Sequence, residues 1–286
     1  MPATPLPWTC VARGVGTGRF ALVAGLNVLE DDVKLVRETA SAVAEAAREA
    51  GLGQVVFKAS WDKANRTSAS SFRGPGLQRG LELLAEAKDA SGLPVVTDVH
   101  ETSHVDAVAE VADVLQIPSF LCRQTDLLSA AARTGRGVHI KRGQMVGPGV
   151  MGHAVEKCRL AGNDQVAVCE RGIMLGLDQL AFDPRQVIYL QRACGPEVPI
   201  LVDATHACQA PPSGSAGKSG GDRSLVAITA RAAIAAGADG VFLEVHPGNA
   251  PCDPAVQLHP RELLPLLQTL NAIAAAVDSS SSPAAP

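Results

Sequence analysis

The chain has 286 residues, 47% of them hydrophobic, with a formal net charge of -4. That is ample for one large core, while an acidic balance excludes a global field for nucleic acid, so any basic site is local. No run of about 18 apolar residues occurs, and "MPATPLPWTCVARGVG" lacks the basic start and apolar block of a secretory signal, so neither membrane nor export is expected.

Residues 1–19 carry Gly14, Gly16 and Gly18 and read as a hairpin-like N-terminal extension. From residue 20 onward, β-branched runs alternate with Ala/Leu-rich segments of helical period. Strands are expected over 20–28, 54–60, 94–100, 113–118, 137–142, 165–172, 199–206 and 239–246. Helices are expected near 31–50, 76–91, 103–111, 124–134, 149–161, 184–194, 222–236 and 260–277. In the first helix Val33, Val36, Ala40, Val43, Ala44 and Ala47 share one face, and Glu38, Glu45, Arg48 and Glu49 the other. Strands so continuously apolar are buried on both sides, as in parallel sheets. Eight such units predict the α/β class and a single-domain (β/α)8 TIM barrel over 20–278. A doubly wound open sheet would want a Gly-x-Gly-x-x-Gly turn after the first strand, and "GLNVLED" has none. Residues 279–286, "SSSSPAAP", read as a disordered tail.

Nearly every strand ends in a polar residue after an apolar body: Asn27, Lys58 with Ser60, Asp98 with His100, Gln116, Lys141, Arg171, His206, and Glu244 with His246. Residues two apart on a strand share a face, and in a barrel all carboxyl ends meet at one rim, where active sites are built. One polar strand end means only a solvated end; eight in register mean a site. Lys58, Lys63, Arg66, Arg123, Lys141, Arg142 and Arg171 are all expected on or near this rim. Clustered cations are costly unless anions join them, and Arg and Lys suit phosphate and carboxylate. Their number implies substrates with several negative charges.

Two Gly-rich loops adjoin this rim. "FRGPG" (72–76) follows the cationic loop, and "SGSAGKSGGDRS" (213–224) reads as a lid over 210–222; Pro212 denies it a phosphate-binding Gly-x-x-x-x-Gly-Lys-Ser loop. No Gly-x-Ser-x-Gly elbow occurs. The seven cysteines include no Cys-x-x-Cys pair, so reduced thiols in a cytoplasmic protein are expected.

The motifs "FKASWDKANRTS" (57–68), "FRGPG", "TDVHE", "RQTDLL", "CERG", "DATHA", "SGG-x-R" and "FLEVHP" together resemble the 3-deoxy-D-manno-octulosonate 8-phosphate synthase family, in the family's order. Related heptulosonate synthases typically carry Lys-Pro-Arg or Lys-Ala-Arg where this chain has Lys63-Ala64-Asn65-Arg66. The resemblance implies a barrel, usually a homotetramer, that condenses phosphoenolpyruvate with D-arabinose 5-phosphate in lipopolysaccharide inner-core synthesis. It places Lys58 and Lys63 near the enolpyruvate carboxylate and the sugar aldehyde. Lys141 and Arg171 match the grip on the enolpyruvate phosphate, with Gln116 and Gln144 nearby. Asn65, Arg66 and Thr67 match the pentose phosphate contacts, and Arg123 an arginine that reaches a neighbouring subunit's site. Asp98, His100 and His206 line the reaction centre, with Asp98 and His206 both candidates for handling the water proton.

Some members of that family bind a divalent metal through Cys, His, Glu and Asp. His206, Glu244 and Asp253 match the last three, but Asn27 stands where the Cys would be. A neutral amide is a weak ligand beside a thiolate, so no metal and no other cofactor is expected. Pro254 replaces the family's usual Gly after Asp253, and Arg142 and Met145 stand where Lys and Phe are commoner. The rival expectations are a heptulosonate 7-phosphate synthase acting on erythrose 4-phosphate, and a silent phosphosugar-binding barrel.

Overall fold

The computed structural model describes residues 20–66, 68–176, 179–210 and 220–280. The expected N-terminal extension, Thr67 and most of the expected lid lie outside them. Eight parallel strands close into a barrel: β1 (Ala21–Val28), β2 (Val55–Ser60), β3 (Val95–Asp98), β4 (Val114–Ile117), β5 (Gly137–Lys141), β6 (Val166–Glu170), β7 (Ile200–Asp203) and β8 (Gly240–Glu244). The order around the ring is sequential, and β8 pairs with β1 through Ala21–Gly240 to Gly25–Glu244. A helix follows each strand: α1 (Val33–Glu49), α2 (Leu77–Ser91), α3 (Val105–Val111), α4 (Thr125–Arg133), α5 (Pro148–Leu160), α6 (Arg185–Cys194), α7 (Val226–Ala235) and α8 (Leu263–Ser280). The expected (β/α)8 barrel is therefore the observed fold. The last helix runs two residues into the span read as a tail, because its apolar repeat continues past Ile273 and Ala274, which pack on the core.

Local chemistry explains the elements. Asp32 caps α1 by accepting the Leu35 N–H (3.0 Å), and Pro148 opens α5, where its missing N–H costs nothing. The buried stripe of α1 is Val36, Thr39, Ala40, Val43, Ala46 and Ala47, so Ala46 rather than Ala44 faces inward. Gly92 takes a left-handed φ of 68° and ends α2. Two short ribbons were not foreseen: Ile173–Leu175 pairs with Gln179–Ala181, and Gln209–Ala210 with Gly220–Gly221, both antiparallel.

The core has two compartments. Strand residues such as Leu22, Phe57, Leu115, Ile140 and Val202 point outward into one large cluster beneath the helices. Val23, Val56, Val96, Val114, Ala167, Cys169, Leu201 and Phe242 form a second cluster inside the barrel. Because strand side chains alternate, the next inward position along each strand lies one layer nearer the carboxyl rim, and the composition changes abruptly there.

Candidate active site

Two residues beyond the apolar floor the inward side chains turn polar. Val56 gives way to Lys58, Val96 to Asp98, Val114 to Gln116, Cys169 to Arg171, Leu201 to Asp203 and Phe242 to Glu244, and all six polar groups are buried. Buried Lys141, on β5, joins this layer, and the floor supports it from below: its Nζ sits 3.2 Å from the Phe242 ring centroid, a cation–π contact. Above them opens a cavity of about 290 Å³, lined by Lys58, Lys63, Asn65, Arg66, Asp98, His100, Gln116, Lys141, Gln144, Arg171, His206 and Asp253 among others.

Three hydrogen-bonded groups make up this layer. In the first, Asn27 Nδ2 donates to Glu244 Oε2 (2.5 Å) and to Asp253 Oδ2 (3.1 Å). Lys58 Nζ donates to the Asn27 carbonyl (2.8 Å) and to Glu244 Oε1 (3.1 Å). Burial and the Lys63 ammonium push Lys58 down to about 8 against the pull of Glu244. Burial alone would raise Glu244, but His206, Lys58 and Lys63 outweigh it and hold the carboxyl at about 2. Asp253 has φ 49°, the one non-glycine left-handed backbone among the described residues. Asp tolerates that conformation better than most residues.

In the second group Lys63 Nζ donates to Ser60 Oγ (3.0 Å), whose hydroxyl in turn bonds Asp98. Gln116 Nε2 donates to Asp98 Oδ1 (2.5 Å), and its Oε1 accepts from His139 Nδ1 (3.1 Å). Burial disfavours the Asp98 carboxylate, but Lys63, Lys58 and His100 more than offset this and hold it well below the usual range. Lys63 responds in kind: burial opposes its charge, yet Asp98 and Glu244 raise it. Burial pushes the enclosed His139 down to about 3, so it stays neutral.

Asp203 organises the third group. Its Oδ2 pairs with Lys141 and accepts from His206 Nδ1 (2.6 Å), and its Oδ1 accepts the His206 backbone N–H (2.8 Å). The His206 ring thus lies between Asp203 and Glu244, with Nε2 3.4 Å from Glu244 Oε1. Arg171 Nη2 donates to Gln209 (3.0 Å), while its buried Nη1 has no protein partner. Burial lowers Arg171, but a guanidinium retains its charge.

The cavity thus gathers most of the expected residues. Asn27, Ser60 and Glu244 lie in the hydrogen-bonded layer around it. Two expectations need correction. Arg142 is one residue past Lys141 and therefore points the other way, buried against Glu170 (2.5 Å) behind the barrel wall. His246 does not share the inward face of Glu244; β8 ends at Glu244, and His246 Nε2 meets Glu30 Oε1 (2.9 Å). Arg123 is exposed and outside the cavity lining. Thr67 lies outside the described residues.

Sequence reasoning misses Asp203, because "PILVDATH" reads as a strand that ends at His206. The strand stops at Asp203, and a turn brings His206 back onto it. It also misses His139, whose place two residues before Lys141 is the available signal. Phe120 lines the mouth from a single 3-10 turn, and Met174 and Leu180 from the short ribbon after β6, elements too short to show a periodic pattern.

His206, Glu244 and Asp253 offer ligand atoms within 4.8 Å of one another, a partial metal-binding set. The remaining side of that set is closed by donors. The Asn27 amide hydrogens face both carboxylates, and the Lys58 ammonium holds Glu244. Such donors already satisfy the negative charge that a divalent ion would otherwise neutralise, so the residues present fit a metal poorly.

A sequence model described as the DAHP synthetase I family matches residues 9–278. A protein of Nitratidesulfovibrio vulgaris (strain DP4) named 2-dehydro-3-deoxyphosphooctonate aldolase is 54% identical over 273 residues, covering 94% of this chain and 96% of its own. The Arabidopsis thaliana protein named 2-dehydro-3-deoxyphosphooctonate aldolase 2 is 49% identical over 261 residues, 89% of this chain and 88% of its own. A like-named protein of Syntrophotalea carbinolica is 46% identical over 265 residues, 92% and 93% of the two chains. With a closed barrel, a rim of buried cations and similarity that runs almost end to end, the chain belongs to the DAHP synthetase I family.

Proposed function

We propose that this chain condenses phosphoenolpyruvate with D-arabinose 5-phosphate and water, giving 3-deoxy-D-manno-octulosonate 8-phosphate and inorganic phosphate. The observation that carries the reading is the placement of cations across the barrel mouth. β2 and β6 are diametrically opposite in the strand order. Lys63 and Arg66 follow β2, and Arg171 follows β6 beside Lys141 on β5. Two anion sites therefore face each other over Asp98 and His206. A sugar phosphate and an enol phosphate fit this arrangement, since between them they bring two phosphates and one carboxylate.

The chemistry is positioning with charge stabilisation. Lys141 and Arg171 hold the enol phosphate, and Lys58 neutralises its carboxylate. Asn65 and Arg66 hold the pentose phosphate. The enol carbon bonds to the aldehyde carbon, and the aldehyde oxygen takes the electron pair; Lys63, hydrogen-bonded to Ser60, stabilises and protonates that alkoxide. Water adds at the enol phosphate carbon, the C–O bond breaks, and phosphate leaves. Asp98, held well below the usual carboxylate range, is a weak proton acceptor, which favours His206 for the water proton.

The heptulosonate alternative is disfavoured by relatives named for the octulosonate activity. Lipopolysaccharide inner-core synthesis follows from the product alone. We further read the enzyme as metal-independent, on the Asn27 contacts, and as a homo-oligomer, a tetramer by resemblance, in which exposed Arg123 serves a neighbour's pentose phosphate. Cys122, Cys158, Cys169, Cys208 and Cys252 are buried free thiols, which suits the cytoplasm. No helix among the described residues is long and apolar enough to cross a membrane.

The test is phosphate release by purified protein with both substrates, with and without chelator. Turnover with arabinose 5-phosphate that exceeds turnover with erythrose 4-phosphate and survives chelation supports the reading. Greater turnover with erythrose 4-phosphate, or none with either sugar, overturns the reaction. Loss on chelation restored by Mn²⁺ or Zn²⁺ overturns metal independence.

A further inference from the structure

The "FRGPG" segment is not accounted for by the site itself: Arg73 is not in the cavity lining, and its side chain is 56% exposed. Its contacts nevertheless converge on the residues that begin the cationic loop. The Arg73 guanidinium makes a two-pronged pair with Asp62, Nε to Oδ1 at 2.8 Å and Nη2 to Oδ2. The Arg73 carbonyl accepts the Lys63 backbone N–H at 2.8 Å. Next in sequence, Gly74 has φ 125°, and a Cβ there would lie 2.3 Å from the Trp61 carbonyl oxygen. Gly80, in the first turn of α2, presses on Trp61 in the same way, at 2.4 Å from its Cβ. Trp61 is anchored in turn: its Nε1 donates to the Asp98 carbonyl (2.8 Å), and its ring packs edge-on to His100 and His104.

Two strands of chain, 61–63 leaving β2 and 73–74 returning, are thus fastened side by side. Lys63, Asn65 and Arg66 project into the cavity just beyond the fastening. We infer that Asp62 and Arg73 are positioning residues, forming a clasp that sets where Lys63, Asn65 and Arg66 stand relative to Asp98. The pair is charge-assisted and planar, so it fixes direction as well as distance. Its Arg73 end is 56% exposed, while the Asp62 side chain is buried at the edge of the cavity (11%), so losing Arg73 leaves a carboxylate unpaired and costs some stability as well as position. Local exchange and a KM change confined to one substrate let positioning be separated from folding. The inference rests on the proposed reaction for its kinetic arm only.

The experiment compares the full-length enzyme with Arg73→Ala, Arg73→Lys and Asp62→Asn. Two readouts are taken: hydrogen exchange of the amides in 63–73, and kcat with KM for each substrate. In Arg73→Ala, exchange rises most in this loop, and Tm falls by no more than about 5–8 °C, the cost of leaving buried Asp62 unpaired. KM for the pentose phosphate rises about tenfold or more and kcat falls up to about 100-fold, the scale of a 1 Å misplacement. KM for phosphoenolpyruvate, gripped from β5 and β6, stays within about twofold. Arg73→Lys, which keeps one charged contact, recovers part of both losses. Should Arg73→Ala not fold, Arg73→Lys and Asp62→Asn carry the same comparison. Wild-type exchange and wild-type KM in Arg73→Ala overturn the inference. So does exchange that rises over the whole barrel with both KM values rising alike. If the wild-type protein turns over no pentose phosphate, the reaction reading fails, and the exchange arm still decides whether the clasp exists.

Discussion

Asp203→Asn is the most informative single change in the buried layer. The substitution keeps shape and removes charge from a side chain with no solvent exposure. Oδ1 can still accept the His206 N–H, but Lys141 loses its carboxylate and His206 Nδ1 loses an anionic acceptor. Lys141 is itself 4% exposed, and its remaining close neighbours are Cys169 Sγ (3.6 Å) and the Phe242 ring. Neither can replace an anion. Breaking a buried pair on one side costs about 3–5 kcal/mol. For 286 residues the unfolding entropy is roughly 0.6 kcal/mol/K, so Tm should fall by about 5–8 °C. Scanning calorimetry of the substrate-free protein reads this directly. Burial opposes the Asp203 charge, but His206, Lys141 and Arg171 hold its pKa far below the ordinary carboxylate range. The difference from wild type should therefore persist at every pH at which the protein stays folded. A Tm within about 1 °C of wild type would refute the claim that Asp203 compensates the Lys141 charge.

Other outcomes follow from the same layer. Lys58, ordinarily at 10.5 and lowered to about 8, should lose its proton early in the substrate-free enzyme. kcat/KM for phosphoenolpyruvate should then fall about tenfold per pH unit above 8, and a flat profile to pH 9.5 would count against it. The stability sign is opposite: between 8 and 10.5 the unfolded chain binds the extra proton, so this group's contribution to folding rises with pH. Lys63→Met should lower kcat about 10²–10³-fold by removing the donor to the alkoxide; a loss under tenfold would remove it from that role. Arg142→Met leaves Glu170 buried and unpaired, so it should cost about 3–5 kcal/mol of stability with both KM values unchanged, whereas a KM change would return Arg142 to the rim.

Much of this was legible because strand side chains have period two. A polar residue two places after an apolar one, as in Val56 and Lys58, marks both the inward face and the height of the rim. The same rule, applied more strictly, separates Lys141 from Arg142, and counting cations without parity blurs them. Asp203 escaped because the strand's end is set by where its ladder with β8 stops, at Asp203 opposite Phe242, which a single strand's pattern does not reveal. The clasp escaped for a different reason. Asp62 and Arg73 lie 11 residues apart across a loop, and only the folded path of that loop makes them neighbours. The apolar mouth residues Phe120 and Met174 sit on a one-turn helix and a three-residue ribbon strand, too short for periodicity to assign a direction.

The central claim is that two anion sites face each other across one barrel mouth, and calorimetric titration of each substrate into Arg171→Met and Arg66→Met tests it most directly. Loss of one charged hydrogen-bonding group should weaken its own ligand by about 10–100-fold. Arg171→Met should lose that factor for phosphoenolpyruvate and retain the pentose phosphate, with the reverse for Arg66→Met. Equal weakening of both ligands by either change, or no weakening by both, would contradict the account.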